Sequence, residues 1–465
     1  MIQKIKQIRY KINTYKTSKD LLQALPFDFL EKTAFFLILL LAFAPILRLL
    51  MSLVFNDVNA LRFGVDTLML GGYWSTYLLQ IGYLSFILTI VIFMKKMVGI
   101  NRNSLNWKRG LKTYLPFLFL MAFFLWIIIA TVFSQNIKLS FFGTSYRQEG
   151  LIMWGAYFGF VGAASQIKSI KYFKAIVSVF LLGALFLAMF SLLNNETLNH
   201  WFTLRQRTSI FHNANHYGYY LTIALMSASA FLLYQKRLNW LSGVVLIGFL
   251  LNALTLIINR SLGPYIGVLA GLTILSVFIV LKHRYMIKRL ILIVSVFIIA
   301  SLYQSFETNY LSNEASSVSE DISSIVSGDE DSGGAGSGRW RLWTLGITYG
   351  NRNFITGQGP DNLGMLYAQD AINNDRAHNE FIQYYATLGI VGVMVYVGVL
   401  ITYAWKFVID KGYHDLMNVL LFSIVVGYNV SALFGNTMYY TAPFYFVILS
   451  MATIRTSYQT ERVSA

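Results

Sequence analysis

The sequence predicts an all-α membrane protein of about twelve transmembrane helices, with one large loop that carries short amphipathic helices. Three observations predict it. Of 465 residues, 56% are hydrophobic and only 12% charged, against about 25% charged in an ordinary soluble domain. The apolar residues fall in runs close to the 20 or so that a helix needs to cross a hydrocarbon core of about 30 Å. Basic residues collect in alternate segments between those runs, the pattern that orients a multi-pass protein.

In chain order, residues 1–33 form a basic arm whose LLQALPFDFLEK stretch reads as an anchoring surface helix. The arm lacks the short apolar core and small-residue cleavage site of a signal peptide. Apolar runs follow near 34–54, 75–94, 114–134, 151–167, 175–193, 216–234, 239–258, 263–281 and 290–304. After a loop at 305–382 come three more, near 383–405, 416–434 and 440–454, and a short tail. The fourth, ninth and twelfth runs are short. The chain therefore divides into the arm, spans one to nine (34–304), the loop, and spans ten to twelve with the tail (383–465).

With the N-terminus placed inside, the inner segments hold 26 of the 37 basic residues and 6 of the 21 acids. The inner side is then +20, the outer side −4, and both termini are cytoplasmic. The net charge of +16 orients the protein and meets anionic lipid; no nucleic-acid motif accompanies it. Cysteine is absent, which excludes disulfides and thiolate metal sites.

The loop has two parts. Residues 305–338 are acidic and rich in Gly and Ser, a composition that reads as a mobile flap. Asp329-Glu330-Asp331 lies in it and reads as solvated loop rather than a metal site. Residues 339–382 read as structured: Trp340, Trp343 and Ile347 recur at i, i+3 and i+7, an aromatic face fit to lie on the outer leaflet. GQGPDNLG then makes a turn.

Phosphate-binding loops, dinucleotide fingerprints and metalloprotease motifs are missing. The outer side instead carries arginines: Arg147, Arg205, Arg207, Arg260, Arg339, Arg341, Arg352 and Arg376, with Lys138. On the inner side lysine predominates. Arginine's rigid fork matches phosphate oxygens and stays charged at low dielectric. Arg260 sits in a hairpin too short to take it far from the membrane, where an ionisable group points to function. His212 and His216 have zinc-ligand spacing but no third ligand, so packing, capping or substrate contact suits them better. His200, His283 and His414 read as incidental. His378 stands at the mouth of a span between Arg376 and Asn379. Alone it reads as a cap; beside the outer arginines it reads as chemistry.

Four segments in order resemble the O-antigen ligase and O-antigen polymerase superfamily of bacterial membrane glycosyltransferases. FHNANHYGYYLTIAL is similar to its Asn-Pro-Asn-His segment, with Ala214 in the proline place. NRSLGPYIGVLAG resembles its Ser-Arg-Gly hairpin, with Asn259 and Ser261 in the outer places. SGRWRLWTLGI with FITGQGPDNLG is similar to its Arg-Trp helix and Gly-x-Gly turn, and AHNEFIQYYATLGIVGV to its His-Asn segment. Together they cover about residues 140–400.

The resemblance implies a GT-C-like fold. It implies transfer of a glycan from an undecaprenyl-diphosphate-linked donor to an acceptor hydroxyl on the outer face of the cytoplasmic membrane. It also implies no metal or other cofactor, arginines on the diphosphate and a histidine base. Arg260 and Arg339 fall at the family's arginines and His378 at its histidine. Arg341, Arg207 and Arg147 join the substrate-binding set from their position, with Asn379 beside the base. Expected partners are the donor, a glycan or lipid acceptor, membrane lipid and other polysaccharide-assembly proteins. The alternative is a flippase or permease, which needs polar residues in mid-span or paired broken helices.

Overall fold

The computed structural model describes residues 17–55, 73–99, 107–145, 147–202, 204–211, 213–309, 313, 316, 338–436 and 438–463. The first half of the N-terminal arm, most of the acidic stretch 305–338 including Asp329-Glu330-Asp331, and His212 lie outside them. Among the described residues there is no sheet, only an isolated bridge between Arg205 and Ser209.

All twelve expected spans are helices. They are α2 (Phe27–Phe55), α3 (Tyr73–Gly99), α4 (Trp107–Val132), α6 (Leu151–Ala164), α7 (Ile170–Leu193) and α9 (Ala214–Tyr234). The others are α10 (Trp240–Asn259), α11 (Leu262–Lys282), α12 (Ile287–Thr308), α15 (Glu380–Ile409), α16 (Leu416–Ala432) and α17 (Ala442–Val463). Short helices join them: α1 (Ser18–Ala24), α5 (Ile137–Phe142), α8 (Glu196–Phe202), α13 (Arg339–Arg352) and α14 (Leu363–Gln369). Among the described residues nine helices are long and apolar enough to cross a membrane; Leu151–Ala164, Leu416–Ala432 and Ala442–Arg455 are shorter apolar helices. The ninth span, expected short, runs 22 residues. The eleventh stops after 17. Apolar runs become helices here because hydrocarbon offers the backbone no partner except itself.

Large apolar side chains such as Phe93, Leu125, Ile247, Ile299, Met394 and Ile401 point outwards, as in a lipid-facing surface. The middle of the bundle is α9, 94% buried along its apolar stretch, against 28% for the peripheral stretch Arg284–Tyr303. Small residues set the closest approach. On α11, Gly263, Gly267 and Gly271 recur every fourth position, and a Cβ on Gly267 would fall 2.5 Å from the Gly427 carbonyl of α16. Small-residue stripes of this kind let apolar helices pack backbone to backbone.

Polar contacts mark two ends of the bundle. At one, Lys95 Nζ donates to the Leu22 and Gln23 carbonyls, Glu31 accepts from the Lys168 and Ser169 amides, and Arg455 pairs with Asp415. At the other, the loops before α6, α9 and α15 join. There α13 buries Leu342, Gly346 and Tyr349 against Leu363, Leu366 and Tyr367, leaving Trp340 and Ile347 exposed.

One span departs from the continuous helix that its sequence suggested. Gly389 breaks α15 at φ 70° and ψ −175°, a conformation that only glycine adopts without strain. The GQGP turn fills the break. Gln358 and Gly359 amides donate to the Ala386 and Thr387 carbonyls, and Ile390 N donates to the Phe354 carbonyl. Trp126 Nε1 reaches the Leu388 carbonyl at 2.8 Å. The backbone groups freed by the break thus find partners within the protein.

Candidate active site

The site lies at the loop-rich end and begins with Arg147, in the polar segment between α5 and α6. Its guanidinium grips Asp375 with both prongs, Nε to Oδ2 at 2.6 Å and Nη2 to Oδ1 at 2.7 Å. Nη1 lies 3.2 Å from His216 Nε2 in the first turn of α9 and 3.4 Å from the Met438 sulfur. A guanidinium only donates, so Nε2 accepts and the His216 proton sits on Nδ1. Burial pushes the Asp375 carboxyl up, but the Arg147 hydrogen bonds and charge outweigh it and hold the group below the usual carboxylate range.

A second charged knot lies deeper. Arg376 Nη2 donates to Asp361 Oδ1 at 2.6 Å and stands 3.6 Å from Glu149 Oε2. The other Asp361 oxygen accepts from the Thr144 amide and hydroxyl at 2.6 and 3.0 Å. All three charged side chains are buried. Arg376 is nearer Asp361, so Glu149 is the less compensated acid. Burial pushes its carboxyl up to about 8 against the pull of Arg376, with Asp361 adding to the rise. Tyr157 donates to it at 3.0 Å.

His378 is half-buried beside these knots in a left-handed backbone conformation, φ 51°. That turn hands the cap of α15 to its neighbour: Asn379 Oδ1 accepts from the Phe381 and Ile382 amides at 3.0 and 3.2 Å. The histidine ring is released from that duty. Burial, then the Arg339 and Arg147 charges, push its pKa down to about 4, with Asp375 opposing. At neutral pH the imidazole is an uncharged base.

The remaining arginines are looser. Arg260 caps α10 in a left-handed conformation and is exposed, as are Arg207 and Arg341; Arg339 is half-buried at the start of α13. Among the described residues no hydrogen bond or ion pair engages the side chains of Arg260 and Arg339. The hairpin itself is tied down. Asn259 Nδ2 donates to the Arg207 and Ala214 carbonyls at 2.7 and 2.8 Å, and Ser261 Oγ donates to Asn215 Oδ1 at 2.5 Å. Asn259 and Ala214, which both depart from the motifs they resemble, meet in this contact.

The structure thus gathers His378, Arg339, Arg147, Asp375 and Arg376 into one electrostatic neighbourhood. Arg207 joins the hairpin through its backbone carbonyl, which accepts from Asn259 next to Arg260. Sequence reasoning missed Glu149 and Asp361 as Arg376's companions and His216 as Arg147's. The signal available was Arg147-x-Glu149 in a polar break between spans, where buried charges need partners. Among the described residues no three His, Cys, Asp or Glu side chains are grouped to hold a metal ion.

Fold and site define a multi-pass membrane protein with a titratable, arginine-rich centre at one end. Residues 247–397, about a third of the chain, match the family described as O-antigen ligase. The match takes in Arg260, Arg339, Arg341, Arg376, His378 and Asn379, and bears out the resemblance to the O-antigen ligase and polymerase superfamily. That family supports a ligase- or polymerase-type enzyme of cell-surface polysaccharide. Comparison with curated proteins gives no match.

Proposed function

We propose that the protein transfers a glycan from an undecaprenyl-diphosphate-linked donor to an acceptor hydroxyl on the outer face of the cytoplasmic membrane. The observation that carries this reading is a histidine kept neutral beside arginines at the mouth of α15. In the proposed step His378 accepts the acceptor's hydroxyl proton as its oxygen bonds to the anomeric carbon. The bond from that carbon to the diphosphate breaks, and the electron pair leaves with the diphosphate. Arg339 and Arg260 stabilise that developing charge as preorganised donors, without a metal. Arg341 and Arg207 extend the cationic surface around the lipid-linked donor. Arg147 is assigned to the same charge field, which it joins while gripping Asp375. Asn379 holds the base in place through its cap.

In the proposed orientation both termini are cytoplasmic and 305–382 lies outside, a reading supported by the charge split. The exposed Trp340 and Ile347 face of α13 then rests on the outer leaflet. A transporter reading draws less support. The one break found in a described span, at Gly389, is plugged by the 354–359 backbone and has no counterpart among the described spans.

The test is turnover of purified lipid-linked oligosaccharide by the purified protein in detergent or liposomes. The expected product is a longer glycan on the diphosphate carrier or a glycan on a second acceptor, with free polyprenyl diphosphate released. Donor moved across the bilayer with its glycosyl bond intact would replace this reading with the flippase.

A further inference from the structure

We propose that the protein binds one acyl chain of an anionic glycerophospholipid inside the bundle, at the end opposite the candidate active site. A partly open slot lies among α2, α7, α9, α16 and α17, lined by side chains such as Leu41, Phe180, Ile223, Leu420 and Ile448. Its lining is almost wholly apolar, and an apolar cavity neither holds water well nor packs itself. Along α9 it runs from Ile223 to Gln235, about 18 Å at the helical rise of 1.5 Å per residue. Half of a hydrocarbon core is about 15 Å, so the cavity has the reach of one leaflet's acyl chain.

The mouth is cationic. Lys174 and Gln235 are the polar residues at that end of the lining. Lys174 is half-buried, with Nζ 3.4 Å from Gln235 Oε1 and 5.5 Å from the Tyr234 ring. Among the described residues no carboxylate pairs with it. Lys171, Lys236 and Arg237 are exposed nearby in sequence. Arg289 grips the Leu232, Gln235 and Lys236 carbonyls at the end of α9. Glu31, the acid that meets the start of α7, accepts from the Lys168 and Ser169 amides. A lysine ammonium without a carboxylate at the entrance to an apolar slot fits a phosphate headgroup whose tail fills the slot. Under the proposed topology this leaflet is the cytoplasmic one, and that assignment alone rests on the functional reading.

The test is lipid retention, which is independent of glycosyl transfer. Full-length protein, delipidated in detergent, is titrated with phosphatidylglycerol or with phosphatidylcholine of the same chains and read by native mass spectrometry. Phosphatidylglycerol should bind at least about tenfold tighter, the worth of one charge-assisted contact. Lys174→Gln should erase that preference, Lys174→Arg should keep it, and Ala230→Phe, which fills the slot, should lose both lipids. Equal affinity in the wild type, or an unchanged preference in Lys174→Gln, overturns the proposal. So does undecaprenyl phosphate displacing phosphatidylglycerol equally well in wild type and Lys174→Gln, because the slot would then hold the donor's tail. If Ala230→Phe does not fold, the two Lys174 variants decide.

Discussion

Arg147 and Asp375, 228 residues apart in the chain, meet in a two-pronged ion pair of 2.6 and 2.7 Å that ties the loop before α6 to the loop before α15. The same guanidinium touches His216 at the head of α9. One side chain therefore joins three separate segments around His378, and the consequences of losing it are specific.

Arg147→Lys keeps the charge and loses the fork. Removing one partner of a buried pair costs about 3–5 kcal/mol; Asp375 is a third exposed, so a smaller loss, about 1–2 kcal/mol, is expected here. Thermal unfolding in detergent should drop by a few degrees, and Asp375→Asn in the same background should add little. Additive losses from the two substitutions would show that the pair is not coupled.

His378→Ala should lower turnover by about 10²–10⁴-fold, the usual worth of a positioned base, with donor affinity nearly unchanged. Because Asn379 holds the cap, His378→Gln should be as damaged as His378→Ala. Asn379→Ala should instead cost about 1 kcal/mol of stability. Turnover near wild type in His378→Gln would remove the histidine from the chemistry.

The acidic limb of the activity profile follows from a pKa lowered to about 4. A base works when unprotonated, so the His378 contribution should be flat from pH 8 to about 5.5 and fall below it. Profiles of kcat against pH, compared with His378→Ala, read this directly. A limb centred near the ordinary histidine value of about 6.5 would mean a more hydrated ring than the structure shows.

Glu149 titrates the opposite way. With its folded pKa raised to about 8, the folded protein keeps a proton that the unfolded chain releases. The stabilisation from this group is full below the ordinary glutamate range and is lost as pH rises through about 8. Glu149→Gln never ionises, so it should match the wild type near pH 5 and melt about 2–4 °C higher at pH 8.5. A difference that does not change with pH would point to packing instead.

Arg260→Lys and Arg339→Lys should each weaken donor use although charge is kept, and activity should survive exhaustive chelation. Loss of turnover in EDTA that Mg²⁺ restores would refute metal independence.

The chain has no cysteine, so single cysteines report topology cleanly. Gln369→Cys should react with an impermeant thiol reagent in intact cells and Lys236→Cys should not; the reverse pattern would invert the proposed orientation.

The twelve spans, the charge bias and the Arg-Trp and His-Asn strings could all be read from the sequence by itself. Each is local, because in hydrocarbon a run of apolar residues has helix as its outcome, and a short motif carries its own spacing. The family match over 247–397 falls on those same strings. What only the tertiary structure decided is which charge meets which: Arg147 with Asp375, Arg376 with Asp361, and Glu149 left behind. It also decided that α15 breaks at Gly389 around a distant turn, and that Asn379 rather than His378 caps it. The physical reason is desolvation. A side chain's charge state depends on how much water folding removes and which partner replaces it, and neither is written in the order of residues along the chain.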